Sequence, residues 1–238
     1  MQDGQFSDVY GLNPTASWSN SNEVGDVDID YGIEADVRVT KDIASLPKKF
    51  WGKVSSKIGA WGVSAKADFQ GIDYTKADVS LGVTNADEGL DFSAKGTCSG
   101  DGIVLNTIAA RKALEQDGAN VVINPSFDVQ SEEATVVVSY EKDGTGVEVE
   151  ASKDAQIVTL SRQLDNENRI TPKINSAGDV SVAWEHQIDD GTLTTTFEPQ
   201  KSVVIDWEEG GWNAKISMDL DNTEITNVNV SVKKDLVF

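Results

Sequence analysis

Asp26, Asp28 and Asp30 set three carboxylates two residues apart, a D-x-D-x-D spacing that in a calcium loop supplies oxygen ligands. Such a loop also needs glycine at its sixth position and a bidentate glutamate at its twelfth, and Tyr31 and Val37 stand there instead. The spacing therefore fits a solvated acidic strand face. His186 is the one histidine, beside Glu185 in "AWEHQID", with no second imidazole to share a metal or a proton. Cys98 is the one cysteine, so the chain forms no internal disulfide and no Cys/His metal set. No G-x-S-x-G, H-E-x-x-H, Walker A or G-x-G-x-x-G motif is present. A glycosidase-type carboxylate pair has 40 Asp and Glu residues to draw on, and nothing in the spacing marks one. The expectation is a protein that is not an enzyme, with no catalytic residue, no metal and no cofactor.

Charge narrows the partners. A net charge of −20 over 238 residues repels nucleic acid and anionic surfaces. The acidity has one interruption. From Lys41 to Ile58 the chain holds five lysines against one aspartate. Phe50, Val54 and Ile58 are spaced by four, and Ser45 with Pro47 resembles a helix start, so a short helix is expected near 46–58. Three readings of it stand: a plug sealing its own sheet, a basic docking arm against an acidic neighbour, or a membrane-surface helix. The candidate assembly interface is Lys48, Lys49, Phe50, Trp51 and Lys53. The six tryptophans are read as filling cores or interfaces between copies, with sugar stacking as the alternative.

The elements that must carry these residues are strands. Val27, Ile29, Tyr31 and Ile33 alternate with Asp26, Asp28, Asp30 and Gly32, and Val228, Val230 and Val232 alternate with Asn227, Asn229 and Ser231. Similar runs recur along the chain, parted by turn signals such as "EKDGTG", "DDG" and "EEGG". The segment 107–118 reads as a strand end plus a turn. The fold class is all-β, with antiparallel sheets. No apolar run is long enough for a transmembrane helix, and "MQDGQFSDVYG" is no signal or transit peptide.

An ordered echo runs through the chain about 110 residues apart, from Asn13-Pro14 against Asn124-Pro125 to Arg111-Lys112 against Lys233-Lys234. It predicts two tandem pseudo-symmetric repeats, 12–123 and 124–238, after an N-terminal extension, 1–11.

The tandem acidic β units, the segment 36–69 and the ending 185–238 resemble the pyrenoid shell proteins of diatoms and related algae. That resemblance implies a structural protein. It would self-assemble into a homo-oligomeric lattice around the Rubisco matrix in the chloroplast stroma, limiting CO2 leakage, with Rubisco or matrix proteins as further partners and no membrane. It carries over no active-site residue. The alternatives are a membrane β-barrel, which the number and alternation of strands and the terminal Phe238 suit, and a soluble lectin-like module. Lys234 between Val232 and Leu236 counts against a continuous lipid-facing band.

Overall fold

The computed structural model describes residues 15–37, 46–71, 74–221 and 224–234. Among them the chain is all-β, with 17 strands in one long sheet that is not closed. Strands consecutive in sequence pair antiparallel.

The chain divides into two compact units. One takes the chain up to Ala113 together with Asn124–Ala134, and the other takes Leu114–Ile123 and the chain from Thr135 onward. The first is built on β1 (Thr15–Val24), β2 (Val27–Asp36), β3 (Pro47–Ile58), β4 (Trp61–Gln70), β5 (Ala77–Asn85), β6 (Leu90–Ser99) and most of β7 (Gly102–Gln116). Next come β8 (Ala119–Asp128) and β9 (Glu133–Lys142), each divided between the units. The second unit continues with β10 (Thr145–Ser152), β11 (Gln156–Gln163), β12 (Asn168–Asn175) and β13 (Val180–Ile188). It ends with β14 (Gly191–Glu198), β15 (Ser202–Glu209), β16 (Trp212–Asp221) and β17 (Glu224–Lys234).

Local chemistry explains the hairpins. At Asp117-Gly118 both residues have positive φ, 52° and 73°, as a two-residue type I′ turn requires. Asp143-Gly144 repeats this at 49° and 71°. β7 runs straight through "ARKALEQ" to the first of these turns, so helix propensity yields there to the ladder with β6.

Little of the sheet is buried among the described residues. Two packed sheets would interleave their inner side chains and bury them. Among the described residues the buried apolar side chains are only Ala77 and Ala119, and Asn85 is the buried polar one.

Two expectations are corrected. The short helix near 46–58 is strand β3. A spacing of four is even, so Phe50, Val54 and Ile58 share one face of a strand as readily as one face of a helix. Pairing with β2 and β4 on both sides decides for the strand. The sheet is also a single long one, and not two tandem repeats. A meander of short alternating strands matches itself at many offsets, because each strand repeats the same period of two. Asn13-Pro14, Ser45, the extension 1–11 and Phe238 lie outside the described residues.

Candidate functional site

Residues directly opposite in an antiparallel ladder point to the same face of the sheet. The registers therefore sort every side chain into one of two faces. In the first unit one row reads Trp18, Ile33, Phe50, Phe69, Ala77, Cys98, Ile103 across β1 to β7. Another on the same face reads Asn22, Ile29, Val54, Ala65, Leu81, Ala94, Ile108. The second unit matches it. Val138, Val149, Val158, Ile174 and Val180 form one row, and Val182, Phe197, Val203, Met218 and Val228 another.

Among the described residues much of this apolar face is exposed. Leu81 is 57% exposed, Ile103 73% and Val230 63%. Burying one such side chain is worth about 1.5–3 kcal/mol, so a whole face left in water forfeits tens of kcal/mol. Native proteins have only about 5–15 kcal/mol of net stability to set against that. The face is one that water does not favour.

The other face of the first unit is charged in columns. Asp28, Asp30 and Glu34 of β2 stand opposite Ser55, Lys53 and Lys49 of β3. Asp68 of β4 takes Lys49 at 2.9 Å and Lys66 at 2.8 Å. Lys66 also lies 5.7 Å from the Trp51 ring centroid. Trp51 covers Gly32, where an added Cβ would sit 2.6 Å from the indole Nε1 and 2.7 Å from the Trp18 carbonyl oxygen. Glycine is required there for the indole to lie flat on the sheet. The register shift at Glu34/Ala35 leaves Lys48 without a direct opposite. The bulge lets it pair with Asp36 at 2.8 Å and reach the Thr15 hydroxyl at 3.5 Å.

Three of the five residues expected as an assembly interface, Lys48, Lys49 and Trp51, make contacts within the chain. Lys48 and Lys49 have intramolecular carboxylate partners, Lys53 stands opposite Asp30 and Lys66, and Trp51 lies over Gly32. Phe50 points to the opposite, apolar face, with its centroid 5.8 Å from that of Tyr74. The reading of the sequence missed that β2 and β4 supply the matching columns. The signal lay in Asp28, Asp30 and Glu34, and in Lys66 and Asp68, all at even spacing.

The polar face of the second unit is less basic. Thr192 and Thr194 of β14 stand between Gln187 and Glu185 of β13 and Glu208 and Asp206 of β15. Lys215 meets Asp206 at 3.1 Å, and the Asn213 amide donates to Glu208 at 2.8 Å. Among the described residues no cluster of His, Cys, Asp and Glu is arranged to hold a metal. His186 hydrogen-bonds Asn168 Oδ1 at 3.0 Å and stacks on Trp184. No helix among the described residues is long and apolar enough to cross a membrane.

No family profile matches the chain, and no curated relative does. Among solved structures, three mutant forms of the Rh. blastica porin are similar to it. The first has a TM-score of 0.45 at 10% identity over 99% of this chain and 96% of that one. The second has 0.44 at 10%, over 99% and 98%, and the third 0.45 at 9%, over 99% and 97%. The similarity is too low to carry an argument about function by itself. Nothing in these comparisons supports the expected pyrenoid shell. The expectations of a stromal chloroplast location and of no membrane partner are corrected, since among the described residues the sheet exposes an apolar face in both units.

Proposed function

We propose that the chain is a membrane protein of the β-barrel type, with its apolar face against lipid and its charged face toward water. The observation that carries this is the exposed apolar face present in both units. Strand lengths of 8 to 15 residues bracket the 9–11 that a tilted strand needs to cross a bilayer. In hydrocarbon an unpaired strand edge is too costly to persist, so the edges of β1 and β17 must find hydrogen-bonding partners once the protein is inserted. The charged face then lines a passage for small polar solutes. The protein acts without catalysis, by presenting columns of opposite sign to what passes. Lys234, which counted against a lipid-facing band, lies at the end of β17 with its ammonium 4.2 Å from the Trp212 centroid. A long basic side chain at a strand end reaches the interface and does not break the band.

The test is to dilute urea-unfolded chain into buffer, into detergent and into preformed lipid vesicles. Circular dichroism, protease protection and release of a trapped small dye are then followed. Strand signal, protection and release that require lipid or detergent are expected. A folded chain that stays soluble without either, and leaves vesicles sealed, would refute the reading.

A further inference from the structure

The ionisable side chains on the apolar face of the second unit are not scattered. Lys142, Thr145 and Arg162 stand directly opposite one another across β9, β10 and β11, next to the hairpins at 143–144 and 164–167. Lys234 stands opposite Trp212, next to the hairpin at 210–211. In an antiparallel meander every second hairpin falls at the same end of the unit, so these cations share one end. The Trp212 indole joins them, with the Lys234 ammonium 4.2 Å from its ring centroid. On the same face and at the same end stand Glu209, which is opposite Trp212, and His186. At the other end, beside the hairpins at 153–155, 176–179 and 199–201, the same face carries Ala151, Val158, Ile174, Val180, Phe197 and Val203 and no charge in its strands.

We infer that this basic, indole-bearing rim binds the phosphate groups of phospholipid headgroups, and so fixes which end of the second unit sits at a phosphate-bearing leaflet. The inference rests on the membrane reading above. Lysine and arginine on a lipid-facing surface extend to the headgroup layer, where tryptophan also settles. The charge order along the unit selects the headgroup. Asp143, Asp165, Asp189 and Asp190 lie in the hairpins beyond the rim, so a net anionic surface is not favoured. A zwitterionic headgroup fits, with its phosphate at the depth of Lys142, Arg162 and Lys234 and its ammonium farther out, toward the hairpin carboxylates.

The test refolds the full chain into vesicles of phosphatidylcholine and into vesicles of a phosphate-free galactolipid with the same acyl chains. A preference for the phosphate-bearing vesicles is expected, from charge-assisted hydrogen bonds between the three cations and the lipid phosphates. The triple variant Lys142→Gln, Arg162→Gln, Lys234→Gln should lose that preference while still inserting into galactolipid. A control triple, Lys153→Gln, Lys173→Gln, Lys201→Gln, should keep it. Equal insertion of the wild-type chain into both lipids overturns the inference and leaves the membrane reading standing. Loss of the preference in the control, or its survival in the first triple, also overturns the inference. Insertion of the wild-type chain into neither lipid overturns the membrane reading itself.

Discussion

The polar faces of the two units differ in how they handle charge. In the first, acids on β2, lysines on β3 and a shared aspartate on β4 form columns of opposite sign, locked by Asp68 between Lys49 and Lys66. In the second, Thr194 of β14 stands between Glu185 and Asp206 and Thr192 between Gln187 and Glu208, and Lys215 is the cation held by Asp206. The apolar faces of the two units are alike. The constraint common to both is therefore the apolar face, and the polar face is where each unit is free to differ. That is the pattern expected when lipid dictates one face and solute the other.

The largest effects should come from breaking what the units share. Leu81 of β5 and Ile205 of β15 sit mid-strand on the apolar face. Leu81→Lys or Ile205→Lys should lower the unfolding free energy in vesicles by about 2–4 kcal/mol. Thr194→Lys, on the polar face of the second unit, should change it by less than about 0.5 kcal/mol. Denaturant titration in lipid checks all three. If Leu81→Lys is as silent as Thr194→Lys, the two faces are not in different media.

Next come changes that break only the first unit. Gly32→Ala forces a Cβ against the Trp18 carbonyl oxygen and the Trp51 indole, and should cost about 1–3 kcal/mol. Gly52→Ala, one strand over with nothing within 4 Å of its Cβ, should be near neutral. A similar cost for both would mean that Trp51 does not lie on Gly32.

How much of this was legible beforehand depends on the strand. Val27–Ile33 and Val228–Val232 announced themselves by strict alternation. Residues Thr15–Val24 did not, because Asn20 and Asn22 stand on the apolar face and so blur the period. Those amides are answered by the Tyr31 hydroxyl, which takes N–H bonds from Asn20 at 3.0 Å and from Asn22 at 3.2 Å. β12 was hidden by Pro172. The proline has no N–H, and the ladder to β11 skips Thr171 and Pro172 while the ladder to β13 runs through both. β3 was misread as a helix because its apolar spacing of four is two strand periods and also close to one helical turn. The partners of its lysines on β2 and β4 come from pairing register, which no single segment encodes. The exposed face was the least legible feature, since exposure is a property of what does not pack on a strand.

A smaller effect separates the charge columns. Asp68→Asn leaves Lys49, Lys53 and Lys66 adjacent with no shared counter-charge, and the Asp68 side chain is only 18% exposed. It should cost about 1–2 kcal/mol. Asp206→Asn, which breaks the more exposed pair with Lys215, should cost about 0.5 kcal/mol. Equal costs would mean that the columns of the first unit are no more tightly coupled than the isolated pair of the second.

The smallest effect lies outside the strands, in the second unit. Lys201 Nζ meets Asp179 Oδ1 at 2.6 Å, bringing together the hairpins before β13 and before β15. The Asp179 carboxyl is held below its ordinary pKa, first by the hydrogen bond from Lys201, then by that from Asn175, with the charge of Lys201 adding to both. Lys201 is correspondingly raised, first by its hydrogen bond to Asp179 and then by that charge. The sign follows from these directions. A depressed carboxyl contributes stability above the unfolded aspartate pKa, about 3.9, and loses it as pH falls through the lower folded value. A raised lysine contributes below its unfolded pKa and loses its share as pH rises through the higher folded one. The pair is therefore intact across neutral pH and fails only in strong acid or strong base. Both groups are at the surface, so salt should weaken the link over the same range. Carboxyl chemical shifts recorded against pH should show Asp179 titrating below an ordinary aspartate. In Lys201→Gln it should move back toward 3.9 without reaching it, because Asn175 still donates to it at 2.9 Å. An Asp179 that titrates normally in the intact chain would mean that this ion pair does not persist in solution.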